Sequence, residues 1–123
     1  MAKLKLYLIF LIFLASCKDQ ENISAQDASK YLDQEDILFL DVRTFQEFNY
    51  DGSIKNALLI PVNSLEKKLT LLEPYRDKKI IVYCRSGRRS RLATDFLKKN
   101  NFNAINLDGG YLAWEKYSSS QKW

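Results

Sequence analysis

Four short, largely apolar segments, at residues 37–40, 57–60, 80–83 and 104–107, constrain the fold of this chain more than any other feature. Each is followed by a polar residue, a cysteine or a proline, a pattern typical of strands that are buried on both faces. Helical periodicity fills the intervals between them. Strands that alternate with helices in this way predict an α/β domain, built on an open parallel sheet of about five strands with helices on both faces.

Capping residues and periodicity indicate where the helices begin and end. Thr44 and Glu47 form a capping box, and Ser24 is a natural N-cap for the first helix. Pro74 should end the third helix, because the residue before a proline disfavours helical geometry. Leu92 is expected on the packed face of the fourth helix. The helices predicted in this way lie at 24–32, 44–50, 63–72, 88–99 and 111–114.

The composition excludes several classes of enzyme. The chain has 123 residues, two cysteines, no histidine and a formal net charge of +4. The absence of histidine excludes a Ser-His-Asp triad and a Cys-His protease dyad. It also excludes nearly every zinc enzyme, because these use histidine as a metal ligand. Two cysteines are too few for a four-cysteine metal site. We therefore expect neither a metal nor a cofactor, and any cysteine chemistry must proceed without imidazole.

The first residues predict an export signal. Lys3 and Lys5 precede ten apolar residues at 6–15, too few for a spanning helix, which needs about 20. Leu-Ala-Ser-Cys at 14–17 resembles the lipobox of bacterial lipoproteins, although an ordinary signal peptide or a short anchor could look similar. The resemblance implies that Cys17 is acylated and that the protein is lipid-anchored in the bacterial cell envelope, facing the periplasm or the exterior. The predicted divisions are a signal peptide at 1–16, a lipidated N-terminus and tether at 17–23, the domain at 24–117 and a polar tail at 118–123.

Cys84 follows the most strand-like segment, and the loop after it opens the helix at 88–99. In open parallel sheets, reactive groups lie just beyond the carboxyl ends of the strands. Backbone N–H groups of such a loop, together with those of a helix N-terminus, can face the sulfur and favour its ionised form. Cys84 is therefore the candidate catalytic nucleophile. The candidate substrate-binding residues are Arg85, Ser86, Gly87, Arg88, Arg89 and Ser90.

Basic residues cluster around this cysteine in the sequence. Residues 76–99 contain nine basic and two acidic residues, a net charge of +7, whereas the rest of the chain from residue 17 onward has a net charge of −5. We therefore expect positive charge to surround Cys84 and to favour a small anionic substrate. No aromatic residues interleave with the paired lysines at 78–79 and 98–99, so the stretch does not predict a nucleic-acid site.

Three motifs in order give a specific resemblance to a known family. Residues 41–61, which begin with Asp-Val-Arg and end with Ile-Pro, resemble the first motif of the single-domain rhodaneses, a family of sulfurtransferases. Cys-Arg-Ser-Gly-Arg-Arg-Ser at 84–90 resembles their active-site loop, and Leu-Asp-Gly-Gly at 107–110 with Trp114 resembles their C-terminal motif. The chain departs from the family at Ser53, where a histidine is usual. We expect a changed local hydrogen bond there and not a loss of activity.

The resemblance implies a rhodanese-like fold and ping-pong sulfur transfer of the thiosulfate sulfurtransferase type. Cys84 would take sulfur from an anionic donor such as thiosulfate, hold it as a persulfide and pass it to cyanide or to a thiol, including a protein thiol. Asp41 and Arg43 are interpreted as an ion pair that fixes the neighbouring loop. Four residues separate Cys84 from Arg89, one fewer than in phosphatases related to this fold, which favours sulfur transfer over phosphoryl transfer.

Two alternatives use the same residues. The protein could be a membrane-tethered sulfur-relay or redox module that exchanges persulfide with a protein partner, and not a free thiosulfate enzyme. It could also be a binding module without activity, although the intact cysteine argues against that interpretation. We expect a monomer that binds no nucleic acid and is held at the membrane through its lipid anchor, where the basic stretch could also contact anionic lipid head groups.

Overall fold

A computed structural model describes residues 22–121, and its centre is a parallel sheet of five strands. The strands lie in the order β1-β5-β4-β2-β3, and every neighbouring pair is parallel. The predicted α/β class is therefore confirmed. The strands are β1 (Asn22–Ile23), β2 (Ile37–Asp41), β3 (Leu58–Leu59), β4 (Lys79–Tyr83) and β5 (Asn103–Leu107).

The helices begin close to where the caps predict. The Ser24 hydroxyl accepts the Asp27 N–H at 3.1 Å, and Thr44 and Glu47 form both bonds of the predicted capping box. The helix predicted at 88–99 has those bounds in the structure. The α-helices are α1 (Ala25–Ser29), α2 (Phe45–Tyr50), α3 (Arg88–Lys99) and α4 (Gly110–Ser120).

Apolar side chains fill both faces of the sheet, because each central strand alternates its side chains between two cores. Ile80 and Val82 of β4 face the core that α3 covers, whereas Ile81 and Tyr83 face the core that α1 and α4 cover. Cys84 belongs to the first of these cores. The alternation of the strand thus turns this side chain towards the first turn of α3.

Several helix predictions were wrong in detail. The first helix, predicted at 24–32, ends at Ser29. The segment expected to be one helix at 63–72 forms two 3₁₀ helices, Val62–Ser64 and Leu69–Tyr75, and Pro74 lies inside the second instead of after its end. Proline has no N–H to donate, which disfavours a continuous α-helical ladder, while short 3₁₀ turns tolerate it. Leu92 is 68% exposed because the buried stripe of α3 instead runs through Ala93 and Leu97.

Regular secondary structure continues on both sides of the segment 24–117. Asn22 and Ile23, expected in a tether, form β1, because Ile23 buries its side chain and its carbonyl accepts the Asp108 N–H at 2.8 Å. At the other end, α4 continues through Ser120 into the segment expected to be a polar tail. The partly buried Tyr117 packs against the core and keeps this last turn helical.

Several predictions fall on residues outside the part of the chain that the structure describes. They are the signal peptide, the lipidation of Cys17, the rest of the tether and the last two residues of the tail. Within residues 22–121, no helix has the length and hydropathy needed to cross a bilayer.

Candidate active site

Cys84 lies directly beyond the carboxyl end of β4, inside a tight loop that leads into α3. Its sulfur accepts a hydrogen bond from the Gly87 N–H at 3.1 Å and lies 3.4 Å from the Ser90 hydroxyl. Gly87, at the N-cap of α3, has φ of 102°, a left-handed conformation that favours glycine. The loop therefore wraps polar hydrogen-bond donors around a single sulfur atom, as the sequence predicts.

The surroundings of Cys84 act on its pKa in opposite directions. Burial is the largest influence and by itself raises the pKa of the thiol, since the residue is only 1% exposed. The thiolate is favoured by the Ser90 hydroxyl when its hydrogen turns to the sulfur, and by the backbone N–H groups of Ser90, Gly87 and Ser86. Together they outweigh burial and leave the pKa of Cys84 below its ordinary value. The Cys84 thiol is thus buried, and the net effect of its surroundings on its pKa favours the thiolate.

The N-terminus of α4 holds the loop in this shape. The N–H groups of Tyr111 and Leu112 donate to the carbonyls of Cys84 and Arg85, at 2.8 and 3.1 Å. These carbonyls therefore point towards α4, which leaves the neighbouring N–H groups free to face the sulfur. Gly110 makes the close approach possible, because a Cβ there would lie 2.6 Å from the Cys84 and Arg85 carbonyl oxygens. Gly110 of the C-terminal motif thus belongs to the architecture of the loop.

Sequence reasoning missed the polar side chains behind Ser90. The Ser90 hydroxyl donates to Asn106 Oδ1 at 2.6 Å, and Asn106 Nδ2 donates to Asn22 Oδ1 at 3.0 Å. Ser90 is fully buried and Asn106 is 2% exposed. One signal could have found this network: Asn106 is the only polar residue in the four apolar segments that predict strands. A buried polar residue needs a hydrogen-bonded partner, and here that partner is the loop.

The four arginines near the loop have different surroundings. Arg85 and Arg88 are exposed, and Arg85 lies 3.9 Å from Asp51. Arg88 and Arg91 line an open cavity of about 440 Å³ beside the loop, and Asp108 lies in the same lining. Cys84 is not among the residues that line this cavity, in agreement with its burial.

Arg89 belongs to an ion pair with Glu47 of α2. Two hydrogen bonds of 2.7 and 2.9 Å join the guanidinium to the two carboxylate oxygens. Arg89 is the main reason that the pKa of Glu47 falls to about 2. In turn, Glu47 raises the pKa of Arg89, with a smaller contribution from Cys84. Arg89 therefore connects α3 to α2. Its side chain has less freedom than that of Arg85 or Arg88 to bind a substrate.

Asp41 and Arg43 form a buried ion pair of 2.7 Å at the same edge of the sheet. The Arg43 guanidinium also donates to the Gly52 carbonyl at 2.6 Å and lies 4.3 Å from the centre of the Tyr111 ring. Burial by itself lowers the pKa of Arg43, but the hydrogen bonds that its guanidinium donates to Asp41 contribute to a net rise. The pair thus fixes the backbone at Gly52, next to Ser53, and supports the first turn of α4.

The positive charge expected around Cys84 comes from four of the nine basic residues at 76–99, and the other five lie away from the loop. β4 spans about 13 Å and α3 about 18 Å, and both extend away from the loop. The Arg76 guanidinium donates to the Asn100 carbonyl at 2.9 Å, which places the segment before β4 beside the far end of α3. Only Arg85, Arg88, Arg89 and Arg91 lie in the loop or in the first turn of α3. The residues at the opposite edge are Arg76, Lys78, Lys79, Lys98 and Lys99.

Comparisons with known proteins agree with this architecture. The model of the rhodanese-like domain matches residues 24–117. The tRNA uridine(34) hydroxylase of Escherichia coli is 32% identical over 106 residues, which cover 82% of this chain and 30% of that protein. A crystal structure of a rhodanese-related protein from Thermoplasma volcanium matches with a TM-score of 0.72 and 35% identity, over 80% of this chain and 93% of that one.

A second crystal structure, of a rhodanese-like domain protein from Staphylococcus aureus, matches with a TM-score of 0.69 and 28% identity. This match covers 77% of the present chain and 91% of the other. The chain therefore corresponds to nearly the whole of these two solved chains, but spans only about a third of the length of the curated relatives that it matches.

Proposed function

This chain belongs to the rhodanese-like family, and we propose that it is a sulfurtransferase that works through a persulfide on Cys84. The observation that carries the proposal is the hydrogen bonding around the sulfur, with the Gly87 N–H at 3.1 Å and the Ser90 hydroxyl at 3.4 Å. A ring of donors around a buried sulfur stabilises an anion there, whether it is a thiolate or the terminal sulfur of a persulfide.

The proposed reaction has two steps. The Cys84 thiolate attacks the outer sulfur of a donor such as thiosulfate, a new S–S bond forms, and sulfite leaves with the electrons of the old one. Cys84 then holds a persulfide. An acceptor such as cyanide or a thiolate attacks the terminal sulfur, which gives thiocyanate or a new persulfide and regenerates the Cys84 thiolate. No general base is required once the thiol has ionised, which suits a chain without histidine.

The arginines divide the remaining work. Arg85 and Arg88 are exposed beside the loop, and we assign them to attract an anionic donor. The Arg89 guanidinium is paired with Glu47 and is therefore not free to bind a transferred phosphoryl group. This pairing supports sulfur transfer over the phosphatase alternative. Since Cys84 is only 1% exposed, the geometry favours a small donor.

Thiosulfate-to-cyanide transfer tests the proposal. We expect the full-length protein to form thiocyanate and the Cys84→Ser variant to form only the background amount, because a serine hydroxyl does not ionise at neutral pH and cannot accept sulfane sulfur. Cys17→Ser removes the other cysteine and is the matched control, which should retain activity. Equal thiocyanate formation by wild type and Cys84→Ser would contradict the proposed mechanism.

The same preparation distinguishes a sulfur-relay module from a thiosulfate enzyme. Mass spectrometry of the isolated protein detects an added sulfur atom on the peptide that contains Cys84. A persulfide that thiosulfate neither forms nor replaces would favour a protein donor. We propose that either activity operates at the bacterial cell envelope, on a monomer anchored through Cys17.

A further inference from the structure

Ser90 has one hydroxyl hydrogen and two acceptors within reach. Its oxygen lies 2.6 Å from Asn106 Oδ1 and 3.4 Å from Cys84 Sγ. A hydroxyl donates only one hydrogen bond at a time, and an amide oxygen donates none, so the short contact requires the Ser90 hydrogen to point at Asn106. A lone pair of the Ser90 oxygen then faces the sulfur. In this arrangement Ser90 can accept from the S–H of a neutral thiol but does not donate to a thiolate.

The orientation of the Asn106 amide is fixed on its other side. Its Nδ2 donates to Asn22 Oδ1 at 3.0 Å and lies 3.5 Å from the Gly87 carbonyl oxygen. A half-turn of the amide would place its oxygen against the Gly87 carbonyl, which is unfavourable. Asn22 is the direct partner of Asn106 in the ladder between β1 and β5. The edge strand therefore holds the Asn106 oxygen towards Ser90.

We propose that Asn106 is a positioning residue that draws the Ser90 hydroxyl away from Cys84 in the resting thiol and releases it when the sulfur becomes anionic. Asn22 holds Asn106 in the orientation that does this. Ser90, Asn106 and Cys84 are all at most 2% exposed, so the competition for one hydrogen takes place with little water to replace it. The inference rests on the proposed function only in taking Cys84 as the nucleophile.

The proposal implies that the two donors to the sulfur, the Gly87 N–H and the Ser90 hydroxyl, stabilise the thiolate under different conditions. The Gly87 N–H donates to the sulfur in the structure. Ser90 lowers the pKa of Cys84 only when its hydrogen leaves Asn106, and that transfer deprives a buried amide oxygen of its partner. Asn106 thus makes the resting sulfur less reactive than the loop alone would make it.

Other charged groups near Cys84 are accounted for by their own partners or by exposure. They remain unchanged in the variants described below, so a shifted pH profile reports on the hydrogen-bond network. These groups are the Arg89–Glu47 pair between α3 and α2, the buried Asp41–Arg43 pair beside β2, exposed Arg85 near Asp51, exposed Arg88 and Arg91, and exposed Asp108 after β5.

Alkylation of Cys84 by iodoacetamide, measured against pH on the full-length protein and read from the Cys84 peptide by mass spectrometry, tests the proposal. Below the titration midpoint, Asn106→Val should react about three to ten times faster than wild type, because Ser90 becomes free to donate to the thiolate. Asn106→Asp should react more slowly, because a carboxylate holds the Ser90 hydrogen more strongly and adds negative charge. Asn22→Ala should act in the same direction as Asn106→Val, with a smaller effect.

The Ser90→Ala background separates this role from a merely structural one. In that background, Asn106→Val should not change the pH profile of alkylation further, because no Ser90 hydroxyl remains to be released. The double variant should therefore react like Ser90→Ala alone. Asn103→Val, at an exposed asparagine of the same strand, is the matched control and should react like wild type. Circular dichroism checks that each variant folds. If Asn106→Val does not fold, Asn106→Asp and Asn22→Ala still decide the result through their opposite shifts.

The proposal fails if Asn106→Val or Asn22→Ala leaves the alkylation profile unchanged, or if Asn106→Val shifts it equally with and without Ser90. Alkylation needs no sulfur donor or acceptor. A protein that is inactive with thiosulfate but shows the expected alkylation shifts would therefore overturn the proposed function and keep this inference. A protein that is active with thiosulfate but shows no shifts would keep the proposed function and overturn this inference.

Discussion

Gly110 is the residue whose missing side chain allows α4 to support the Cys84 loop. Its φ is 61°, and a Cβ would lie 2.6 Å from backbone atoms of Cys84 and Arg85. The φ of Gly87, 102°, also favours glycine. Gly87 differs from Gly110 in space, because a Cβ there would lie 3.6 Å or more from its neighbours. One glycine is thus required by backbone conformation and by space, and the other by conformation alone.

We expect Gly110→Ala to destabilise the protein more than Gly87→Ala. Left-handed backbone strain costs about 1–3 kcal/mol at either position, and at Gly110 the backbone of the loop must also move. Urea denaturation followed by tryptophan fluorescence measures the free energy of unfolding of both variants. A smaller loss of stability for Gly110→Ala than for Gly87→Ala would show that α4 does not hold the loop by this close approach.

At the scale of an element, α2 is capped by the same carboxylate that attaches it to α3. Glu47 Oε1 accepts hydrogen bonds from the N–H and the hydroxyl of Thr44, at 3.3 and 3.2 Å, and both carboxylate oxygens bind Arg89. The capping box is readable in the sequence because its members are three residues apart. The ion pair joins residues that are 42 positions apart and is a product of the fold.

This carboxylate gives the stability of the protein a predictable pH dependence. The pKa of Glu47 falls from 4.5 to about 2 on folding, chiefly through Arg89. Its contribution is therefore present above pH 4.5 and is lost as the pH falls through about 2, as the linkage of protonation to folding requires. We expect Glu47→Gln to be less stable than wild type at pH 7, on the order of 1–3 kcal/mol.

The difference between wild type and Glu47→Gln should narrow as the pH falls from 4.5 towards about 2. Urea denaturation at several pH values measures it. Glu66→Gln, at an exposed glutamate between the two 3₁₀ helices, is the control for removing one acidic charge. A difference between wild type and Glu47→Gln that stays constant across this range would contradict the role of the Arg89 pair.

At the scale of the whole molecule, the chain enters the domain at the same edge of the sheet as the candidate active site. Asn22 and Ile23 pair with Asn106 and Leu107 at the carboxyl end of β5, and Cys84 follows the neighbouring β4. Five peptide steps join Cys17 to Asn22, a reach of about 17 Å when fully extended. A lipid on Cys17 would therefore keep the Cys84 edge close to the membrane surface.

Membrane fractionation of cells that express the full chain tests this anchoring. We expect wild type and Cys84→Ser in the membrane fraction and Cys17→Ser in the soluble fraction, because a thiol is needed for acylation but not for the fold. Cys84→Ser is the matched control for removing a cysteine. Retention of Cys17→Ser in the membrane fraction would contradict a lipid anchor at this position.

The sequence by itself determined the parts of the protein that depend on neighbouring residues. Apolar segments located the central strands, periodicity gave the exact bounds of α3, and the spacing of Thr44 and Glu47 gave the capping box. The loop from Cys84 to Ser90 was also identified in this way, since a strand end, a glycine and a helix start are all local features. The sequence did not determine the length of α4, because the packing of Tyr117 against the core decides it. It did not predict the 3₁₀ segments either, because the packing of Leu65 and Leu72 decides their form.

Only the tertiary structure decided which distant side chains meet. Ser90 and Asn106 are 16 residues apart, and Asn22 and Asn106 are 84 apart, yet each pair is hydrogen-bonded because β1, β5 and β4 are neighbours in the sheet. The lengths of β4 and α3 separate the arginines of the loop from the basic residues at the opposite edge. A local pattern carries no information about strand order, because order depends on how the whole chain buries its two apolar faces.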